Sequence, residues 1–285
     1  MASVWFITGA SNGLGLTLAL HALKSGHNVI AAMRNPTRSA DAAKSIEVAG
    51  GKVFQLDVSR PQGELSKAIE TAEAIYGRID VLVNNAGCSV FGPAETFSER
   101  EITELFQTNV FGPFYLTQAV LPGMRSRRSG TIVSVSSNGG QVGTPTCSLY
   151  AASKFSLEGF SEALSKEISE FGISTLIVEL GAFRTNFLHA MKASEKGIPK
   201  AYQGTAADQA LDRFKAAAGK QIGDPTKAAE RMFEVIVGEG QGGPLKGKIL
   251  RLVLGKDAHA RITAKIEQQQ SDMEAAREVT FSTDL

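Results

Sequence analysis

The segment VWFITGASNGLG, residues 4–15, carries the clearest structural signal in this chain. An apolar run, Val4–Ile7, leads into a turn with three glycines, and a helical pattern, Leu14–Lys24, follows the turn. Glycines in such a turn let the backbone bend tightly and let a pyrophosphate approach the free N–H groups of the helix. The stretch therefore predicts a strand, a turn and a helix that together bind a dinucleotide. An ordinary strand-to-helix turn is the alternative.

Short apolar runs and longer helical patterns continue to alternate along the chain. The further predicted strands are Asn28–Met33, Val53–Leu56, Val81–Asn84, Thr131–Val135, Ser174–Leu180 and Lys248–Val253. The further predicted helices are Ala40–Val48, Glu64–Tyr76, Glu99–Met124 and Leu149–Phe171. Apolar runs of this kind are typical of parallel strands that are buried on both faces. The sequence therefore predicts an α/β fold with a doubly wound, mostly parallel seven-stranded sheet and helices on both faces.

The chain is expected to form a single domain over residues 1–285, because no linker rich in proline, glycine or serine divides it. The stretch 183–223 matches no strand but carries apolar residues at loosely helical spacing, and we interpret it as a substrate lid inserted before the last strand. From Asp257 to Arg277 the sequence is charged and helical in pattern. This pattern predicts a C-terminal helical tail at about 257–285 that frays at its end.

Composition excludes several classes of protein. The 30 Lys+Arg and 29 Asp+Glu residues give a formal net charge of +1, so no strong field would draw the protein onto nucleic acid. Cys88 and Cys147 are too few for a disulfide framework, and the 4 histidines lack ligand spacing, so we expect free thiols and no metal site. The first apolar run is too short for a signal peptide or a membrane span, which favours a soluble, cytoplasmic protein.

A second group of polar residues indicates acid–base chemistry. Tyr150 and Lys154 are spaced i, i+4 at the start of a helical pattern, and Ser137 follows the predicted strand Thr131–Val135. Reduction of a ketone leaves alkoxide character on its oxygen, which requires a nearby proton donor. A tyrosine whose pKa is lowered by a lysine ammonium can donate or accept that proton. Taken alone, the Tyr–Lys pair could equally be a solvated helix face.

Together these motifs resemble those of the short-chain dehydrogenase/reductase family. The pattern TGxxxGxG, the tetrapeptide NNAG at residues 84–87, Asn109, Ser137 and the pair of Tyr150 and Lys154 occur in the family's order. The resemblance covers residues 3 to about 190, and the segments MRN, SSNGG and GAFRT are most similar to the hydroxysteroid and retinol dehydrogenase-like branch. It implies a Rossmann-like fold and a homodimer or homotetramer built on the helices that begin near Glu99 and Leu149. The apolar faces of those helices could equally belong to the core.

The resemblance also implies a role for each member of a catalytic tetrad. Tyr150 would exchange a proton with the substrate oxygen, and Lys154 would lower the pKa of that tyrosine and bind the nicotinamide ribose. Ser137 would donate a hydrogen bond to the substrate oxygen. Asn109 would disturb its helix locally and hold a water that links Lys154 to solvent. Neighbouring Ser134 and Ser136 are interpreted as structural residues.

The end of the second predicted strand favours NADP(H) over NAD(H). Where an Asp would bind the adenosine ribose hydroxyls of NAD, this sequence has Ala32-Met33-Arg34. A guanidinium can pair with a 2′-phosphate, and no carboxylate is present there to repel it. Ser11 and Asn12 of the glycine turn are expected to assist, whereas Arg38 is ranked lower because helix geometry can direct it away. A solvated surface charge is the alternative for Arg34.

Further cofactor contacts follow from the resemblance. Asp57 would bind the adenine, unless it instead caps the helix after Pro61. Asn84 would tie adjacent strands through side-chain hydrogen bonds. Thr185 would contact the nicotinamide carboxamide, although Leu180 stands where the family usually has proline. The predicted cofactor-binding residues are Gly9, Ser11, Asn12, Gly13, Leu14, Gly15, Arg34, Asp57, Val58, Asn84, Ala86, Gly87, Tyr150, Lys154, Gly181, Phe183 and Thr185.

The sequence thus predicts an NADP(H)-dependent oxidoreductase that interconverts a carbonyl and a secondary alcohol, acting as a ketoreductase on a fairly bulky, hydrophobic small molecule. The apolar residues expected to line its pocket are Val142, Thr144, Pro145, Cys147, Phe183, Phe187, Met191, Tyr202 and Phe214. Equally, many of these could only pack the lid against the body. Two alternatives remain: a non-redox enzyme on this scaffold with bound NADP, and an NADP-sensing binding protein, for which a full tetrad would be superfluous.

Overall fold

The computed structural model describes residues 2–285, whose backbone forms two parallel sheets. The strands are β1 Val4–Thr8, β2 Asn28–Met33, β3 Lys52–Gln55, β4 Val81–Asn84, β5 Val90–Phe91, β6 Gly130–Val135, β7 Ile173–Leu180, β8 Lys192–Ala193 and β9 Arg251–Leu254. The large sheet has the order β3-β2-β1-β4-β6-β7-β9, and β5 pairs with β8 in the small one. Because all pairs in the large sheet are parallel, the carboxyl ends of its strands meet at one edge.

Helices cover both faces of the large sheet. They are α1 Gly13–Lys24, α2 Ala40–Val48, α3 Gln62–Tyr76, α4 Glu99–Phe106, α5 Gly112–Arg127, α6 Ser148–Ile168, α7 Ala206–Ala217, α8 Pro225–Val237, α9 Lys256–Ala275 and α10 Arg277–Phe281. Alternate side chains of β1 divide between two apolar layers: Trp5 and Ile7 pack with α1 and α8, and Phe6 packs with α3, α5 and α6. The predicted seven-stranded, doubly wound α/β fold is therefore confirmed.

The predicted helix Glu99–Met124 is wrong as a single element. It is interrupted by a π-helical turn at Gln107–Phe111, in which Gly112 N–H donates to the Gln107 carbonyl, and helix α5 then continues to Arg127. The start of α5 lies against the backbone of Val58, since a Cβ at Gly112 would come within 2.4 Å of the Val58 carbonyl oxygen. A change of helical register lets both the Asn109 side chain and this close contact be accommodated.

The stretch 183–223 contains a strand that the sequence did not predict. Strand β8, only two residues long, pairs in parallel with β5 and is exposed, so no apolar alternation marks it. Helix α8 was also missed, although Asp224 caps it and Pro225 occupies its first turn, a typical start signal. At the C-terminus, helical structure continues through α10 to Phe281 rather than fraying after Arg277. Across residues 2–285, every helix is too short or too polar to cross a membrane.

Candidate active site

The predicted site residues gather at the carboxyl edge of the large sheet. The strand order reverses between β1 and β4, and in open parallel sheets this is where a crevice for ligands forms. The glycine turn follows β1, residues 84–87 end and follow β4, Ser137 follows β6, and the segment Gly181–Thr185 follows β7. Four separate loops therefore meet around one crevice.

The glycine turn forms a cradle that side chains would fill. Gly9 has φ +68°, and a Cβ there would lie 2.9 Å from the Cα of Ala86. A Cβ at Gly15 would lie 2.6 Å from the Gly9 carbonyl oxygen. Helix α1 begins at Gly13 with no side-chain cap from Asn12 and no carboxylate in its first turn. Its first N–H groups and positive dipole end thus fit the pyrophosphate of a dinucleotide.

Two residues that the sequence analysis did not single out hold this cradle in place. Asn85 donates from Nδ2 to the carbonyl oxygens of Thr8, at 2.8 Å, and Gly9, at 3.2 Å. The Thr8 hydroxyl in turn accepts the backbone N–H groups of Asn85 and Ala86, each at 3.0 Å. The sequence contains two signals that could have identified them: a polar threonine ends an otherwise apolar strand, and NNAG contains a second asparagine.

The prediction for Asn84 is wrong in its partner. Its Nδ2 donates to the hydroxyl of Thr117, at 3.2 Å, and so links β4 to helix α5 rather than to a neighbouring strand. The link to the neighbouring strand β1 is made by Asn85 instead. Side chains alternate in direction along a strand, so two adjacent asparagines necessarily reach different neighbours.

Two predicted cofactor-binding residues follow the strands on the other side of the cradle: Arg34 directly follows β2, and Asp57 lies two residues after β3. Arg34 is exposed directly after β2, and the adjoining Ala32 carbonyl accepts the N–H of Ala10 in the glycine turn at 3.0 Å. Asp57 does not cap helix α3, which starts after Pro61 without a side-chain cap. Its Oδ1 accepts instead from the N–H and hydroxyl of Ser59, at 3.0 and 2.7 Å. The capping alternative for Asp57 is therefore wrong.

Tyr150, Lys154 and Ser137 come together as the sequence analysis predicted. The Lys154 ammonium lies 5.8 Å from the centroid of the Tyr150 ring and donates to the Val135 carbonyl at 2.8 Å. The Ser137 hydroxyl accepts the N–H of Gly139 at 3.1 Å. A Cβ at Gly139 would lie 3.2 Å from Cε1 of the Tyr150 ring and 3.6 Å from the Ser137 hydroxyl oxygen, so the two side chains face the same small space. These contacts place a proton donor and a second hydroxyl side by side at the crevice.

Asn109 lies in the π-helical turn, where the predicted local disturbance of the helix is found. Its side chain is fully buried: Oδ1 accepts the N–H of Cys88 at 2.9 Å, and Nδ2 donates to the Cys88 carbonyl at 2.9 Å and to the Ser153 hydroxyl at 3.1 Å. Ser153 donates to the Tyr150 carbonyl at 2.7 Å. Asn109 thus joins the loop after β4 to the first turn of α6. The water bridge proposed for Asn109 stays a prediction.

The protonation of the pair differs from the sequence-based expectation. Burial raises the pKa of Tyr150 and outweighs the opposing effect of the nearby Ser137, whereas a lowered pKa was predicted. Burial lowers the pKa of Lys154 to about 8, against weaker opposing effects of Cys88 and Glu158. Both changes have one cause, because a low-dielectric surrounding disfavours whichever form carries charge. At neutral pH Tyr150 therefore keeps its proton, as a donor to a ketone oxygen must.

The segment after β7 is braced by the C-terminal helix. Asp257, in the first turn of α9, accepts the N–H of Ala182 at 2.8 Å, and a Cβ at Gly181 would lie 2.2 Å from its Oδ1. This contact constrains a turn that lacks the fixed φ of proline, since Leu180 stands there. Thr185 lies over the cradle, with its Cβ 3.2 Å from where a Gly13 Cβ would be.

The apolar residues predicted to line a pocket divide into two groups. The Phe187 ring lies 5.7 Å from the Tyr150 ring and so faces the candidate catalytic group. In contrast, Phe183 packs against the main core, and Met191, Phe214 and Cys147 form a small cluster with Phe91 and Leu211. For this second group the packing alternative is correct. Any contact of Phe183 with a cofactor would involve its backbone.

Known proteins with similar sequences include dehydrogenases and other oxidoreductases. The short chain dehydrogenase family matches residues 3–196. The oxidoreductase claN of Passalora fulva is 42% identical over 214 residues, which cover 75% of this chain and 96% of that protein. Retinol dehydrogenase 8 of Homo sapiens is 40% identical over 191 residues, 64% of this chain and 59% of that protein.

Solved structures show the same similarity. A short-chain dehydrogenase from Streptomyces avermitilis superimposes with a TM-score of 0.88 at 36% identity, and the match covers 100% of both chains. A metagenomic short-chain oxidoreductase in complex with NADP superimposes with a TM-score of 0.60 at 29% identity, over 64% of this chain and 83% of that chain. The glycine cradle and the Ser–Tyr–Lys group therefore lie within the part of the chain that matches the family.

Proposed function

The chain belongs to the short-chain dehydrogenase/reductase family and is an oxidoreductase of that family, and on that premise we propose that it is an NADP(H)-dependent ketoreductase acting on a fairly bulky, hydrophobic carbonyl compound. The observation that carries the proposal is the meeting of Ser137, Tyr150 and Lys154 at the sheet edge that also holds the glycine cradle.

The chemistry divides between cofactor and side chains. The nicotinamide cofactor, when bound, supplies the hydride that adds to the carbonyl carbon. Tyr150 gives its phenolic proton to the carbonyl oxygen, so that ketone, hydride and proton make one secondary alcohol. Ser137 donates a hydrogen bond to the same oxygen as negative charge develops on it. Lys154, held by the Val135 carbonyl, stabilises the phenolate that remains on Tyr150 until it is reprotonated.

The preference for NADP(H) rests on the position of Arg34. This guanidinium is exposed beside the glycine turn, where it can pair with a 2′-phosphate, and no carboxylate ends β2. The metagenomic relative in complex with NADP agrees with this choice. The cradle backbone, Asp57, Val58, Ala86 and Gly87 would hold the rest of the dinucleotide, and Thr185 would hold its carboxamide.

The substrate class rests on the surroundings of Tyr150. Phe187 presents an aromatic ring to it, with the ring centroids 5.7 Å apart. A similarity to a protein named retinol dehydrogenase supports an apolar substrate. For assembly we propose a homodimer or homotetramer, because Phe111 on the π-helical turn before α5 and Phe155 on α6 expose aromatic surface.

The experiment begins with NADPH and NADH titrated side by side onto the wild-type protein, followed by bulky hydrophobic ketones under the tighter cofactor. We expect tighter binding of NADPH and loss of its absorbance on addition of ketone. Tyr150→Phe should bind NADPH normally and lose activity by about a hundredfold or more, since it removes the proton donor. Tight NADPH binding without oxidation by any carbonyl would overturn the reductase assignment and favour non-redox chemistry. Near-wild-type turnover in Tyr150→Phe would exclude the proposed proton donor.

A further inference from the structure

A buried polar cluster lies directly behind the segment that carries Ser137. It consists of Ser136, Gln141, Glu158, Glu179 and Arg251. The carboxylates of Glu158 and Glu179 belong to residues that are 2% and 1% exposed. Burying ionisable groups to this extent is costly unless they are paired. These carboxylates are therefore not ordinary solvated surface groups, and we expect them to have a specific structural role.

Glu158 holds the Ser137 segment at both ends. Its Oε1 accepts the hydroxyl of Ser136 at 2.6 Å, and its Oε2 accepts from the side-chain amide of Gln141. The backbone between these two contacts lies against the carboxylate, because a Cβ at Gly140 would come within 2.1 Å of Oε1. Glu158 is also one turn beyond Lys154 on α6. One carboxylate thus connects the serine segment to the helix that carries Tyr150.

The cluster contains more carboxylates than cations. Arg251 lies with its Nε 3.4 Å from Glu158 and 3.2 Å from Glu179, while a terminal nitrogen donates to Glu162 at 2.7 Å. One guanidinium therefore serves three carboxylates, of which two are buried. Burial and the nearby charge of Glu158 raise the pKa of Glu179 to about 8. At neutral pH Glu179 keeps a proton, and the two buried groups carry one negative charge between them.

We propose that Glu158 is a positioning residue that fixes the Ser137 segment close to Tyr150. We expect this hold to depend on pH. The inference rests on the proposed function, because it assigns a task to the Ser137 segment within that reaction. Glu158 touches neither substrate nor cofactor in this scheme and acts only through Ser136 and Gln141.

The dependence on pH follows from the charges that face Glu179. These are Glu158 from α6, which raises the pKa of Glu179, and Arg251 from β9, which opposes that shift. Glu162 contacts the same Arg251, and the Gln141 amide donates to both buried carboxylates. Since the folded protein binds this proton more tightly than the unfolded chain, stability falls as pH rises from about 4.5 through about 8. Above that range two ionised carboxylates repel each other across the side chain of Gln141. We therefore expect the Ser137 segment to loosen there.

The first test compares Glu158→Gln with Glu162→Gln as a matched control. Glu162 lies one turn further along α6, contacts the same arginine and is half-exposed, but touches neither Ser136 nor Gln141. In Glu158→Gln we expect faster hydrogen–deuterium exchange over residues 136–147. We also expect a fall in kcat of about tenfold or more, with little change in NADPH affinity. In Glu162→Gln, exchange and kcat should match the wild-type values.

The second test uses Glu179→Gln, which imitates the protonated acid. Exchange over residues 136–147, measured from about pH 6 to about pH 10 against Glu162→Gln, should increase through about pH 8 in the wild type. It should show no such step in Glu179→Gln. A step of equal size in that variant would exclude Glu179 as the titrating group.

Failure of the positioning role of Glu158 and failure of the proposed function give different experimental results. If Glu158→Gln exchanges over this segment like Glu162→Gln and keeps full kcat, the positioning role is excluded. If Glu158→Gln does not fold, Ser136→Ala removes a single hold and should show the same local increase, so an unchanged segment there overturns the proposal. If the wild type reduces no carbonyl, the proposed function fails, whereas the exchange data still decide whether Glu158 holds the segment.

Discussion

At the scale of single residues, the same buried surroundings shift the pKa values of Tyr150 and Lys154 in opposite directions. The reason is that tyrosine is charged when it has lost its proton, whereas lysine is charged when it holds one. Burial raises the pKa of the phenol and lowers that of the ammonium, to about 8 for Lys154. Their spacing was readable from the sequence, but this effect was not, because it depends on which side chains enclose the pair. The proton that each group holds at neutral pH is therefore a property of the fold.

The proposed preference for NADPH over NADH depends on Arg34. Replacing it with aspartate should lower the ratio of NADPH to NADH affinity at least about tenfold, because a charge-assisted contact worth roughly 1.5–3 kcal/mol becomes a repulsion. Dissociation constants for both cofactors measure the ratio by quenching of Trp5 emission or by calorimetry. Arg38→Asp is the matched control, an exposed arginine in the next turn of chain that should leave the ratio nearly unchanged. Equal effects of the two substitutions would exclude a specific role for Arg34.

At the scale of elements, the loops at the sheet edge depend on neighbours far away in sequence. The π-helical turn at Gln107–Phe111 aims Asn109 at the loop after β4, and α9 braces the loop after β7. The sequence analysis identified the helices because their periodicity is local. It missed the brace, because Asp257 is recognisable only once β7 and α9 lie together.

Asp257 leads to a prediction about that brace. Asp257→Ala should weaken NADPH binding several-fold and lower the free energy of unfolding by about 1 kcal/mol, since an N–H acceptor and a favourable first-turn carboxylate are lost together. Cofactor titration and thermal unfolding measure the two effects. Asp257→Asn should retain most of the binding because it keeps an acceptor oxygen.

Asp272→Ala provides the control for the same helix. Asp272 lies further along α9 and is exposed, and its carboxylate accepts only from the side chain of Gln268. It should affect neither measurement. Loss of cofactor affinity in this variant would show that α9 acts through its overall stability rather than through contact with the Gly181 turn.

At the scale of the whole molecule, the doubly wound parallel sheet was predictable, whereas the secondary structure within the stretch 183–223 was not. Short apolar runs such as Val4–Ile7 and Val81–Val83 are typical of central parallel strands, and their alternation with helical patterns indicates the architecture. Strand β8 has no such pattern and exists because β5 offers it a partner. Phe183 and Phe214 look alike in sequence to Phe187, yet only the last faces Tyr150. The existence of β8 and the different environments of these three phenylalanines depend on contacts between segments that are distant in sequence.

Assembly of the molecule gives a third prediction. Phe155 on α6 is 45% exposed, and Phe111, which stacks on Tyr115, is 39% exposed. Phe155→Glu should convert the proposed oligomer to monomer, because burying an unpaired carboxylate in an interface is unfavourable. Light scattering after size exclusion measures the mass. Val48→Glu, on the exposed apolar side of α2, should leave the mass unchanged; a monomeric wild type would overturn the proposal.

The position of Arg251 on the last strand also bears on how the protein is made. Glu158 and Glu179 leave the ribosome well before Arg251, and until β9 arrives the edge of β7 has no partner. A nascent chain that stopped short of Arg251 would hold two carboxylates without their cation beside an open strand edge. Native packing of this face therefore requires β9, and we expect chains truncated before Arg251 to be less stable and more easily degraded than the full chain.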